Sequence, residues 1–98
     1  MSAPTYRDME RVVARMFPDY VRTVCENALK VARANDDFTA EEIRQFCEPA
    51  KGQENTFSSA MLEAKRLGII KVVGYRNAAR REAKGRMIPV YQRAFNLL

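Results

Sequence analysis

The side chains that could do chemistry in this 98-residue chain are overwhelmingly cations. From Lys65 onward stand Lys65, Arg66, Lys71, Arg76, Arg80, Arg81, Lys84, Arg86 and Arg93, with Glu82 the one acid among them. One-sided charge of this kind suits a polyanion, because each phosphate contact releases condensed counterions. The plainer reading is a solvated basic face that only aids solubility. Catalytic chemistry has little to work with. The chain has no His, which removes His-based triads, His general bases and His-containing metal sites. Cys25 and Cys47 are too few for an all-Cys zinc site or a disulfide scaffold. Both fall on apolar helical positions, where a free thiol is usually buried and inert. Phosphate loops, nucleophile elbows and dinucleotide fingerprints are absent. Metal-dependent phosphodiester cleavage needs clustered carboxylates, and the basic window holds only Glu82. The expectation is a binding protein, not an enzyme, with no cofactor and no metal.

The charge is unevenly distributed along the chain. Residues 1–50 carry 7 basic and 9 acidic side chains, a net −2, whereas residues 51–98 carry 10 basic and 3 acidic, a net +7. Hydrophobic residues at 47% and charged residues at 30% place the chain among globular sequences, not disordered ones. The length predicts one domain over 1–98. The apolar stretch from Leu67 to Val73 is far too short to span a bilayer. The start, Met1 to Pro4, lacks the charged-then-apolar pattern of a secretory signal. A cytoplasmic, reduced setting without membrane contact is therefore expected.

The elements that position these cations follow from local rules. Thr5 to Asp8 fits a capping box, and Met9, Val12, Val13, Met16 and Phe17 then recur at helical spacing. Pro18 and Asp19 interrupt that stripe and open a second helix, with Val21, Val24, Cys25, Ala28, Leu29 and Ala32 on one face. Thr39 and Glu42 predict another capping box, with Phe38 and Ile43 at the hydrophobic-staple positions. Ile43, Phe46 and Cys47 are expected to face inward. A further helix begins near Asn55 or Thr56, buries Phe57, Ala60, Met61 and Ala64, and ends at Gly68 in a Schellman motif. Ile70, Val72 and Gly74 alternate with Lys71, Val73 and Tyr75 as one strand, and Met87 to Tyr91 form a second, the two making a hairpin with a long basic tip. Ala78 to Lys84 is also acceptable helix sequence, so the tip could hold a helical turn. Pro89 requires an edge or an unpaired position.

Helices followed by a basic hairpin, with Phe38-Thr39-Ala40-Glu41-Glu42-Ile43 and then Asn55 through Ile70, resemble the winged-helix superfamily of DNA-binding domains. In that pattern a helix opening with Ser/Thr-x-x-Glu precedes one that ends in Gly and two aliphatics, here Gly68-Ile69-Ile70. These lead straight into the wing, and Gly85 to Tyr91 looks like the returning strand. The resemblance covers roughly residues 20–93 and is similar to small phage and bacterial types. It implies an α+β, mostly α fold: a winged helix-turn-helix of three to four helices and a two-stranded β-hairpin wing. Residues 1–17 would be an extra N-terminal helix, 18–67 the helical core and 69–93 the wing. One departure is the connection of about eight residues, Glu48 to Asn55, where a tight helix-turn-helix uses roughly 3–4.

The resemblance implies that the helix from Asn55 to Leu67 enters the major groove of double-stranded DNA. Its outward stripe is Asn55, Ser59, Leu62 and Arg66, flanked by Ser58, Glu63 and Lys65, with Thr56 a further candidate contact. Short polar side chains there allow close approach to phosphates and base edges, and Arg66 suits phosphate or guanine. Leu62 would touch a thymine methyl or a partner, or pack on the first helix or the wing. The wing would offer Arg76, Asn77, Arg80, Arg81, Lys84 and Arg86 to the minor groove or the adjacent backbone. Tyr75 and Tyr91 read as packing residues that pair across the hairpin. The implied role is regulation of transcription or replication, on a nucleoid or in a phage-infected cell. The alternative is a protein-interaction module that binds an acidic partner, and a weaker one is RNA or single-strand binding. Met9, Val12, Val13, Met16 and Phe17 would either cover the core or form the face of a homodimer.

Overall fold

Thr5 opens the first helix as the sequence predicts. Its hydroxyl accepts from the Asp8 N–H at 3.2 Å, and Asp8 accepts from the Thr5 N–H at 3.0 Å. In a computed structural model, residues 3–47, 54–77 and 86–97 are described. They form α1 (Tyr6–Ala14), α2 (Tyr20–Ala34), α3 (Ala40–Arg44), α4 (Glu54–Leu67), β1 (Ile70–Asn77) and β2 (Met87–Arg93). The strands pair antiparallel in a two-stranded sheet. This is an α+β fold, four helices and a hairpin among the described residues. The proposed helical turn at Ala78 to Lys84 lies outside them, as does most of the connection before α4.

α2 is the central element and packs against α1, α3 and α4. Asp19 caps it, accepting from the Arg22 N–H at 3.0 Å. Of its predicted face Val24, Cys25, Ala28, Leu29 and Ala32 are buried, Val21 is half-buried against them, and Val31 joins from the adjoining side. Phe38, Ile43, Ile69 and Ile70 are also fully enclosed, and burial of each such side chain contributes about 1.5–3 kcal/mol. Phe38 and Ile43 flank the buried Thr39, which starts α3 with its capping box.

The end of α4 has the predicted geometry. Gly68 adopts φ +89°, the left-handed region. The Ile69 N–H donates to the Ala64 carbonyl at 3.0 Å and the Gly68 N–H to Lys65 at 3.2 Å. These are the paired bonds of a Schellman motif, and they turn the chain directly into β1. The hairpin is tied back at its base. Phe38 and Tyr91 exchange both backbone hydrogen bonds, at 2.7 and 3.1 Å, as an isolated antiparallel bridge. Their rings lie 6.2 Å apart. Pro89 precedes Tyr91 by two residues, so its nitrogen faces the same outer edge, where β1 requires no donor.

Three expectations are corrected. Phe46 is 67% exposed, because α3 ends at Arg44 and Phe46 lies in the turn beyond it. The Met9 to Phe17 stripe, by contrast, follows one of its two readings, coverage of the core, over most of its length. Met9 and Val13 belong to the chain's own core, with Val12 and Met16 packed against it. α1 stops at Ala14, which leaves Phe17 88% exposed beyond the helix. The C-terminal segment adds to this hold on α1: Asn96 pairs with Pro4 and Tyr6 through backbone bonds of 2.7 and 2.8 Å, and Phe95 lies 5.8 Å from the Tyr6 ring.

The second correction concerns strand phase. The pairing register shifts between Val72 and Gly74, leaving Val73 as a bulge. One extra residue reverses the alternation. Tyr75 therefore shares the face of Ile70 and Val72 instead of that of Lys71. Tyr91 stands opposite Val72, and Tyr75 stands opposite Pro89, so the two tyrosines are diagonal neighbours and not a direct pair. Tyr91 is buried, while Tyr75 is 65% exposed. Third, Leu62 points outward and is 60% exposed, which leaves little of it to pack on α1 or the described part of the hairpin.

Candidate nucleic-acid interface

α4 divides into two faces. Phe57, Ala60, Met61 and Ala64 are buried against the core. Ser58, Ser59, Leu62 and Arg66 are exposed, with Thr56 and Lys65 half-buried beside them. Asn55 lies in the first turn of α4, and its side chain falls outside the described residues. Of the outward stripe read from helical periodicity, Ser59, Leu62 and Arg66 are thus brought together on one surface.

Arg66 is not free on that surface. Its guanidinium engages Glu63 one turn back, with Nε donating to Oε2 at 3.1 Å and Nη2 donating to Oε1. The hydrogen bonds from Arg66 hold the Glu63 carboxyl below its usual range, and Glu63 in turn raises Arg66. An exposed pair of this kind is weak and screened by salt, so Arg66 can exchange Glu63 for a phosphate.

The wing cations have different surroundings. Arg76 is exposed but donates to Glu42 of α3 at 3.1 Å. Asn77 and Arg86 are exposed at the outer end of the hairpin. Arg80, Arg81 and Lys84 lie outside the described residues. Arg93, counted in the basic window, has a structural use. It donates to the carbonyls of Ala32 at 3.0 Å and Asn35 at 3.3 Å, and pairs with Asp36 at 3.1 Å. It thereby satisfies carbonyls at the C-terminal end of α2, where a cation is also favoured by the helix dipole. Two cations elsewhere cover aromatic rings, Arg33 over Tyr6 and Arg44 over Phe57, each at 4.5 Å from the ring centre.

Two surface residues escaped sequence reasoning. Tyr75 at 65% and Met87 at 56% exposure add apolar surface to the hairpin. Gly74, a residue that often marks a bulge in a strand pattern, was the available signal for Tyr75.

The thiols offer no reactive site. Cys25 and Cys47 are both buried and unpaired. Burial, reinforced by Glu63, Asp19 and Glu26, pushes the Cys25 thiol up to about 11, so it stays protonated near neutral pH. The Cys47 sulfur lies 3.3 Å from the Asn27 amide and 3.5 Å from the Ile43 carbonyl. Among the described residues no group of three or more Cys, Asp or Glu side chains could hold a metal ion, and no helix is long and apolar enough to cross a membrane.

The class that fold and surface define is an α+β chain with an outward polar helix face beside a basic hairpin. No family model, curated protein or solved structure matches it.

Proposed function

We propose that the chain is a non-enzymatic, winged-helix protein that binds double-stranded DNA, with α4 in the major groove and the basic hairpin along the flanking groove or backbone. The observation that carries this reading is the division of α4. Its inner face is fully used by the core, while Ser58, Ser59, Leu62 and Arg66 face solvent together. Short hydroxyl side chains let a helix approach bases and phosphates closely, and an outward Leu is suited to a thymine methyl. The Schellman turn at Gly68 supports the reading further, because it joins α4 to the hairpin without a flexible linker. The role in this reading is regulation of transcription or replication.

The test is a fluorescence anisotropy titration with mixed-sequence duplex at several salt concentrations. Neutralising four or five phosphates gives a log–log slope of roughly −4. Absence of binding at low salt overturns the proposal. The exposed Leu62 also suits a protein partner, and an acidic protein that competes for the same α4 surface is the second reading. Single-stranded competitors test the third.

A further inference from the structure

The hairpin carries an apolar stripe that the core leaves uncovered. The bulge at Val73 brings Tyr75 onto the face of Val72, and the register adds Met87, two residues from Tyr75's partner Pro89. Val72 is 38% exposed, and Tyr75 and Met87 are more so. Cations border this stripe along the chain: Lys71 precedes Val72, Arg76 follows Tyr75 and Arg86 precedes Met87. Lys71 and Arg76 are exposed on the opposite face, so the outer hairpin is a ridge with solvent on both sides.

A ridge inserts into a groove, whereas an amphipathic helix is received by one. An apolar face backed by cations on its reverse suits a base step whose neighbouring phosphates those cations can reach. A second copy fits poorly, because residues 70–93 hold seven cations and one acid, and like charges repel. We propose that Tyr75 and Met87 form a wedge that enters the minor groove of duplex DNA, opens a base step and bends the duplex towards its major groove. Apolar side chains inserted between base steps act in this way. The planar Tyr ring suits a base face and the flexible thioether of Met adapts to the gap. Pyrimidine–purine steps are the preferred sites, since they unstack at least cost. This inference rests on the duplex-binding reading and adds deformation of the DNA to it.

The test uses the full chain and short duplexes carrying end-to-end fluorescent donor and acceptor dyes, with 2-aminopurine at a central TA step. The wedge predicts a bend of roughly 20–90° and a rise in 2-aminopurine fluorescence on binding. The double substitution Tyr75→Ala with Met87→Ala, both at exposed positions, loses the bend and binds about tenfold more weakly, a difference of about 1.4 kcal/mol. Should that variant fail to fold, the 2-aminopurine signal of the unaltered protein still decides. A wild-type protein that binds duplex but leaves it straight and stacked overturns the wedge and leaves duplex binding intact. Failure to bind duplex at low salt, with or without capture of an acidic peptide, overturns both.

Discussion

Arg76 on the hairpin donates to Glu42 in the first turn of α3 at 3.1 Å, across 34 positions of sequence. The same Glu42 carboxylate closes the Thr39 capping box. One acid therefore secures the start of a helix and steadies the hairpin that follows the next one. Burial pushes Glu42 upward, but the Thr39 hydroxyl and N–H and the Arg76 guanidinium outweigh it, and the net shift is downward. A carboxylate depressed in the folded state contributes stability above its ordinary pKa of about 4.3, and that contribution is lost as pH falls through the folded value. Glu42→Gln should lower the melting temperature at neutral pH, and the gap to wild type should narrow as the pH is lowered past that window. Thermal melts of both proteins across that range check it.

Gly68 occupies a position only glycine adopts freely. A Cβ added there meets nothing closer than 4.0 Å, so its cost is conformational and not steric. Gly68→Ala should destabilise the fold by about 1–2 kcal/mol, measured as a lower urea midpoint with an unchanged m-value.

The α1 stripe has contrasting ends. Met9→Ala should cost about 2–5 kcal/mol, as should other large-to-small changes in a core, while Phe17→Ser should stay within about 0.5 kcal/mol. Phe95→Ala should cost about 3–5 kcal/mol, because Phe95 is buried beside Tyr6 and holds the C-terminal segment against α1. Urea denaturation of the three variants separates packing within one chain from a face reserved for a second copy.

The buried thiols give a further prediction. The protonated, enclosed Cys25 and the buried Cys47 should not react with Ellman's reagent in the native state near pH 8. Both should react at once in denaturant. Rapid native labelling would contradict the packing around α2.

What could be read in the residues follows a physical divide. Thr5–Asp8, Asp19, Thr39–Glu42 and Gly68–Ile69 are local devices, whose partners lie within a turn or two, and the structure has each one. The outward face of α4 was legible because Phe57, Ala60, Met61 and Ala64 define its opposite. The misread features depend on distant or register-sensitive partners. Arg93 reaches Ala32 across 61 positions, and Asn96 pairs with the start of α1. At Val73 both strand phases offer apolar residues, so Gly74 was the one local hint of the bulge that exposes Tyr75. The Arg76–Glu42 pair was hidden for the same reason, and it makes Arg76 an anchor of the hairpin as well as a candidate phosphate contact.

The most direct measurement of the central claim compares two charge-matched variants in a duplex titration. Ser59→Glu makes the outward face of α4 more negative by one charge. Lys30→Ala makes the exposed side of α2 more negative by the same amount. Ser59→Glu should weaken duplex binding by tenfold or more, on the order of the 1–3 kcal/mol of a lost specific contact, while Lys30→Ala changes it little and both proteins keep the wild-type melting temperature. Equal effects from the two variants, or no duplex binding by the wild type at low salt, would contradict it.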